Sequence, residues 1–169
     1  ETHMSAKKFD EFEGYTKLIT AQTRIKNLAP GLTDAMIKKA ILHFDNPVAT
    51  ITKKPYDLLE INVPWITVDN IALTVGNVQM NSQYRLNHGI VYTLNKYVSE
   101  TGDICLDINN TNDWNTYIEM LTAVLRIRYN PVDIKNYIGT IAGSLNIPVS
   151  LVCMNNKTWF YPDKYLAAE

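Results

Sequence analysis

The chain has 169 residues and a net charge of −1, with 46% hydrophobic and 20% charged residues. These values are typical of globular proteins and exclude wholesale disorder. No apolar run approaches the roughly 18 residues that span a bilayer, and the start lacks the basic-then-apolar pattern of a secretory signal. We therefore expect a soluble, cytoplasmic protein. Residues 1–3 are interpreted as a cloning remnant before Met4, and residues 4–169 are expected to form a single α+β domain.

Charge is unevenly distributed along the chain. Residues 4–54 contain nine Lys or Arg and five Asp or Glu, whereas residues 55–169 contain seven and eleven. A basic first third is compatible with an acidic partner, and it is also typical of a solvated helix face. The chain contains 17 asparagines and 17 isoleucines. Both residues have AT-rich codons, which suits a low-GC bacterium, a phage or a mobile element; for a phage protein, the host cytoplasm is the expected location.

Helical spacing dominates the first 45 residues. Residues 5–28 place their apolar side chains near one face, and residues 29–31 (Ala-Pro-Gly) end that helix. Thr33 is predicted to cap a second helix, which Asn46 and Pro47 terminate. Residues 48–80 are rich in β-branched residues with partial alternation. This pattern predicts three or four antiparallel strands, with a tight turn at Asp69 and Asn70 and a bulge at Gly76.

The second half mixes both periodicities. Ser82 is predicted to cap a helix that ends near residues 101–102, and residues 103–109 alternate as a strand. A helix is predicted over residues 113–129, and Asn130 with Pro131 opens another. Residues 149–161 predict a β-hairpin that turns at Asn155 and Asn156. The expected fold is α+β: an antiparallel sheet, made of a three- to four-stranded meander plus the C-terminal hairpin, packed by about five helices. No internal repeat is evident.

The stretch YIGTIAGSLNIPVSLVCMNN, residues 137–156, has the spacing of a helix-turn-helix. Its second half offers no Arg, Lys, Gln or Asn at the outward positions that would read bases. The run Val149 to Cys153 also favours a pleated strand. We therefore predict a helix followed by a strand, with a helix-turn-helix as the alternative. Gly139 and Gly143 are expected to form a smooth helix face against which another element packs.

Catalytic and metal-binding patterns are weak. Cys105 and Cys153 lie in apolar runs and are predicted to be buried free thiols, without zinc-ligand spacing. Residues 107–113 start like a calcium loop but lack its glycine and glutamate, so a capped strand-to-helix turn is predicted. His43 and His88 are expected to be structural or surface residues. We expect no metal and no cofactor, and the sequence favours a non-enzymatic protein without settling that point.

Two functional hypotheses remain. The first is a non-catalytic module that docks onto another protein or onto a second copy of itself through exposed aromatic residues, because Trp and Tyr dominate interface energies. Its candidate residues are Trp65, Trp159, Phe160 and Tyr161. The alternative is nucleic-acid binding through the basic first third of the chain. Its candidate residues are Lys38, Lys39, Lys53, Lys54, Arg126 and Arg128. No membrane partner is expected.

Overall fold

The computed structural model describes residues 5–144 and 146–168, without the side chains of residues 166–168; the cloning remnant proposed at residues 1–3 lies outside this range. The fold is α+β, with many helices and a small antiparallel sheet. The chain divides into two compact units after Val78. The single-domain assignment stays a prediction. Among the described residues, no helix is both long enough and apolar enough to cross a membrane.

The first unit, residues 5–78, is helical. Its elements are α1 (Ala6–Leu28), α2 (Asp34–His43), α3 (Pro47–Lys53), a 3-10 helix (Pro55–Ile61) and α4 (Trp65–Thr74). The predicted Thr33 cap is confirmed, since its hydroxyl accepts from the Met36 amide at 3.2 Å. Asn46, predicted only to end the second helix, caps α3, and its side chain accepts from the Ala49 amide at 3.1 Å. Each cap satisfies an amide that has no partner within its helix.

A helical hairpin occurs twice in this unit. In the first helical hairpin, the end of α1 is joined to α2 by residues 29–33, and in the second, the 3-10 helix is joined to α4 by residues 62–64. When their second helices are aligned at the N-cap, the buried residues correspond in three pairs. These pairs are Leu32 with Val63, Ile37 with Val68, and Ala40 with Ile71. The repeat escaped sequence analysis because the paired residues share burial rather than identity.

The strands and turns predicted over residues 48–80 were wrong. The segment folds as α3, the 3-10 helix and α4, and Gly76 follows a helix rather than marking a bulge. Trp65, Val68 and Ala72 are buried at helical spacing, so burial against the rest of the unit outweighs the β propensity of the branched residues. Asp69, expected in a tight turn, is buried in α4 and accepts a hydrogen bond from the Tyr56 hydroxyl at 2.7 Å.

The second unit begins at residue 79 and combines helices with the sheet. Its elements are α5 (Gln83–Thr101), β1 (Leu106–Asp107), α6 (Thr111–Leu125), α7 (Pro131–Ile141), β2 (Val149–Met154), β3 (Lys157–Pro162) and a 3-10 helix (Asp163–Ala168). The strands are antiparallel in the order β1-β3-β2. Leu106 lies opposite Phe160, and Leu151 lies opposite the same residue from the other side.

The sheet predictions for the second unit are partly confirmed. The β-hairpin formed by β2 and β3 turns at Asn155 and Asn156, which have φ of 55° and 63°. Residues 149–154 form a strand, so the helix-turn-helix alternative for residues 137–156 was wrong. The strand predicted over residues 103–109 is reduced to Leu106 and Asp107. The predicted three- to four-stranded meander is absent from the described residues, where the sheet consists of β1 and the two strands of the C-terminal hairpin.

Close packing between α5 and α6 depends on a glycine. A Cβ atom added to Gly89 would lie 2.4 Å from Cδ2 of Leu125. The Tyr117 side chain of α6 is fully buried, and its hydroxyl donates to the Ile90 carbonyl at 2.9 Å. By contrast, a Cβ atom added to Gly139 or Gly143 meets nothing within 4 Å. The packed face expected at those two glycines was therefore wrong.

We expect Gly89→Ala to destabilise the second unit by about 1–3 kcal/mol, although alanine is the better helix former, because the methyl group overpacks against Leu125. Urea unfolding measures the change, and Gly139→Ala is the matched control, with an expected gain of about 0.5–1 kcal/mol. In a double-mutant cycle, Gly89→Ala should cost much less in a Leu125→Ala background. An unchanged cost in that background would show that the contact is not the cause.

Candidate nucleic-acid interface

The loop of the first helical hairpin is fixed by its own backbone and by one lysine. The Ala29 amide donates to the Ile25 carbonyl at 2.8 Å, and the Leu32 amide donates to the Ala29 carbonyl at 3.0 Å. The ammonium of Lys26 donates to the Leu32 carbonyl at 2.8 Å. Ala29 and Leu32 are 1% exposed, so they anchor the loop in the core. These contacts hold Pro30 and Gly31 at the surface in a defined conformation.

Backbone amides at this loop remain available to a ligand. Within the described chain, the amides of Gly31, Asp34 and Ala35 have no hydrogen-bond acceptor. Asp34 and Ala35 begin α2, where the helix dipole places partial positive charge. Such amides bind phosphate oxygens readily. The Asp34 carboxylate, which is exposed, opposes an anion at this site.

Lys38 and Lys39 lie in the second turn of α2 and are exposed. Helical side chains lean toward the N-terminus of their helix, so these two ammonium groups extend toward the loop. Neither forms an ion pair with a residue that the structure describes. The first helical hairpin therefore combines unpaired amides with exposed positive charge.

The second helical hairpin has the opposite charge. Residues 23–54 contain six Lys or Arg and two Asp or Glu, whereas residues 55–78 contain no Lys or Arg and three Asp or Glu. Asp69 occupies the helix position that Lys38 has in the first hairpin, and it is buried. Burial and the neighbouring Glu60 raise the pKa of Asp57, while Lys54 acts in the opposite direction. Of the two repeated hairpins, the first is the one suited to phosphate.

The six basic residues predicted as a nucleic-acid surface lie in both units. Lys38, Lys39, Lys53 and Lys54 belong to the first unit and are all exposed. Lys53 and Lys54 lie at the end of α3. Arg126 and Arg128 belong to the turn after α6 in the second unit, where Arg128 forms an ion pair with Glu119. The predicted set is therefore divided between the two units, four residues in the first and two in the second.

The predicted aromatic docking set is mostly structural. Trp65 is 5% exposed and stacks on Tyr56 with ring centroids 5.2 Å apart. Phe160 is fully buried and meets the Tyr117 ring edge-on. These two residues cannot act as interface anchors in the folded protein, and that part of the hypothesis was wrong. Trp159 and Tyr161 are half-buried on the other face of β3.

The residues considered for catalysis or metal binding are dispersed. His43 Nε2 lies 3.1 Å from Glu60 Oε2, and both side chains are exposed. His88, expected at the surface, is half-buried. The cysteines, expected to be buried, are not: Cys105 is half-buried and Cys153 is exposed. Asp107 accepts from the Asn109 amide at 3.0 Å, and Asn110 caps α6, so the segment is the predicted capped turn. Across residues 5–144 and 146–168, no three His, Cys, Asp or Glu side chains gather as a metal site.

Residues 23–105 match a family model described as the ATP-dependent RecD2 DNA helicase HHH domain. The match covers 83 of the 169 residues and includes both helical hairpins. No curated protein matches the chain. The matched family is named for a DNA helicase, so this comparison favours the nucleic-acid hypothesis over protein docking.

Lys38 and Lys39 could be identified from the sequence, whereas the loop beside them was not predicted as a binding site. The signal was present: Pro30 and Gly31 separate two apolar residues, Ala29 and Leu32, just before a capped helix. In the sequence this pattern was interpreted only as the end of the first helix. It also describes a short loop anchored at both sides, which leaves its central amides exposed.

Proposed function

We propose that the protein binds DNA and that the first helical hairpin contacts the phosphate backbone. The observation that carries the proposal is the coincidence of the family match with the charge pattern: the matched region includes two helical hairpins, and of these two only the first contains Lys or Arg. Backbone amides of Gly31, Asp34 and Ala35 would donate hydrogen bonds to phosphate oxygens, and Lys38 and Lys39 would neutralise the charge.

These contacts do not distinguish one base from another. Amides and lysines at a loop recognise the backbone, so binding through this hairpin is expected to be independent of sequence. Two lysines and a few amides also make a small footprint. Binding should therefore be weak and steeply dependent on salt, because affinity comes from released counterions.

The test is fluorescence anisotropy of a labelled DNA duplex with the full chain across a KCl series. Lys38→Ala/Lys39→Ala is expected to weaken binding roughly tenfold at low salt and to reduce the slope of log K against log salt by about 1.8. Both side chains are exposed, so the melting temperature should hardly change.

The matched control is Lys7→Ala/Lys8→Ala, which removes the same charge from the start of α1. Lys8 lies about 27 Å along the helix axis from Lys26, which braces the loop. Equal losses in the two double variants would mean that net charge alone drives binding, and the hairpin proposal would then fail.

A further inference from the structure

The second unit has the connectivity of a winged helix. Its order is α5, β1, α6, α7, β2 and β3, and β3 lies between β1 and β2 in the sheet. In this arrangement α6 and α7 form the helix pair, with α7 as the second helix, and β2 with β3 forms the wing. The helix pair therefore lies one helix earlier than the segment 137–156 considered from sequence.

The α7 helix presents a polar face. Ile134, Ile138 and Ile141 are buried on its inner side. Asn136, Gly139 and Thr140 are exposed on the outer side, where a Cβ atom added to Gly139 would meet nothing within 4 Å. An asparagine amide can pair with an adenine edge, and a glycine leaves room for close approach.

Neighbouring elements fix the position of α7. The Tyr137 hydroxyl donates to the Asn87 side chain of α5, and the Lys135 ammonium lies 5.4 Å from the centre of the Trp114 ring of α6. The Gly143 amide after α7 donates to the Val149 carbonyl of β2 at 3.1 Å. These contacts connect α7 to α5, to α6 and to the start of β2.

Charge in this unit is segregated along the same elements. Residues 79–125 contain two basic and five acidic residues, whereas residues 126–157 contain four basic residues and one acidic residue, Asp133. The basic residues are Arg126 and Arg128 in the turn before α7, Lys135 on α7 and Lys157 at the tip of the β-hairpin. A net charge of +3 therefore lies on the elements that a winged helix turns toward DNA, although the unit as a whole is slightly acidic.

We propose that the second unit is a separate binding surface for duplex DNA, with α7 in the major groove and the β-hairpin tip on the adjacent backbone. Asn136 and Thr140 would face base edges, while Lys135 and Lys157 would contact phosphates. The proposal goes beyond the first helical hairpin and does not require it.

Double-helical DNA fits this surface better than RNA. The major groove of B-form DNA admits an α-helix, whereas the deep, narrow major groove of A-form RNA does not. A single strand would need aromatic platforms. The outer face of α7 carries Asn136, Gly139 and Thr140 instead, so we expect duplex DNA to bind more tightly than duplex RNA or single-stranded DNA.

The first test is Lys135→Ala/Lys157→Ala in the full chain, measured by anisotropy with a DNA duplex across a KCl series. We expect about tenfold weaker binding and a salt slope smaller by about 1.8. The control, Lys96→Ala/Lys164→Ala, removes two exposed charges of the same unit outside residues 126–157 and should change binding little. Lys135→Arg/Lys157→Arg should restore affinity, because it keeps both the charge and the ring contacts.

The second test uses Gly139→Glu, which adds negative charge and bulk on the outer face. Glutamate is the better helix former, so the melting temperature should rise slightly while duplex affinity falls at least tenfold. Gly139→Ala is the matched control and should leave affinity nearly unchanged. A Gly139→Glu variant that binds like the parent would overturn the proposal.

The two DNA surfaces can fail independently. If Lys38→Ala/Lys39→Ala weakens binding and Lys135→Ala/Lys157→Ala does not, the second-unit surface is refuted and the first-hairpin proposal stands. The reverse result would refute the hairpin and leave the second-unit surface in place. Equal affinity for duplex DNA and duplex RNA would exclude insertion of α7 into a major groove.

Discussion

Replacing Phe160 with alanine is expected to lower the free energy of unfolding by about 3–5 kcal/mol. The ring is fully buried between the sheet and α6, and its centroid lies 5.9 Å from that of Tyr117. Removing it leaves a cavity that the neighbouring strands, which pair on both sides of this residue, cannot close. Urea unfolding followed by circular dichroism measures the change.

Trp159→Ala on the same strand is the control for the Phe160 variant. Trp159 is half-buried, and the Lys157 ammonium lies 5.3 Å from its ring centre. Its loss should cost about 1 kcal/mol, since most of the cavity would be open to water. If Trp159→Ala were the more destabilising variant, the assignment of Phe160 to the core would be contradicted.

Acidification from pH 7 to pH 4.5 is expected to remove about 2–3 kcal/mol of stability through His88 alone. Burial lowers the pKa of His88 from 6.5 to about 4 in the folded state. The unfolded chain therefore binds the proton first, and stability falls as the pH drops from about 6.5 toward 4. Above pH 7 both states are neutral at this residue, so its contribution is constant there.

Carboxylates also titrate in this range, so the measurement is a difference between proteins. Urea unfolding of the parent and of His88→Gln at several pH values isolates the histidine contribution. The parent should lose about 2–3 kcal/mol more than the variant between pH 7 and pH 4.5. Parallel pH profiles would show that the imidazole is hydrated in the folded protein.

Helix starts were the most predictable features, because a cap depends on a few neighbouring residues. Thr33, Ser82 and Asn130 were identified as caps from sequence, and each accepts a hydrogen bond from an amide two or three residues later. The turn at Asn155 and Asn156 was predictable for the same reason, since asparagine tolerates positive φ. Local hydrogen bonding determines the helix starts and this turn, so they do not depend on contacts with the rest of the fold.

Residues 48–80 were not predictable from local pattern. Ile71, Leu73 and Val75 alternate like a strand, yet Ile71 and Leu73 lie in α4 and Val75 is its C-cap. The deciding interactions join distant residues, such as the Tyr56 hydroxyl with the Asp69 carboxylate and the Tyr56 ring with Trp65. Strand propensity reflects packing on a pleated surface, and the described residues of the first unit form helices without a sheet.

Only parts of the candidate sites could be predicted from the sequence. Exposed lysines such as Lys38 could be identified from charge alone, but the loop amides beside them depend on how Ala29 and Leu32 are buried. The helix-turn-helix spacing was considered at residues 137–156, whereas the proposed helix pair is α6 with α7. The pairing of β1 with β3, across about 50 residues, was needed to assign α7 as the second helix.

The abundance of asparagine has a thermodynamic consequence beyond codon usage. Four asparagines adopt positive φ, and three more cap helices: Asn62, Asn77, Asn155 and Asn156, then Asn46, Asn110 and Asn130. Glycine would fit the four left-handed positions with less strain, but it would give the unfolded chain more conformations to lose on folding. With asparagine rather than glycine at the four left-handed positions, the unfolded chain has fewer backbone conformations, so less entropy is lost there on folding. Part of the stability of the folded protein therefore arises from restriction of the unfolded state.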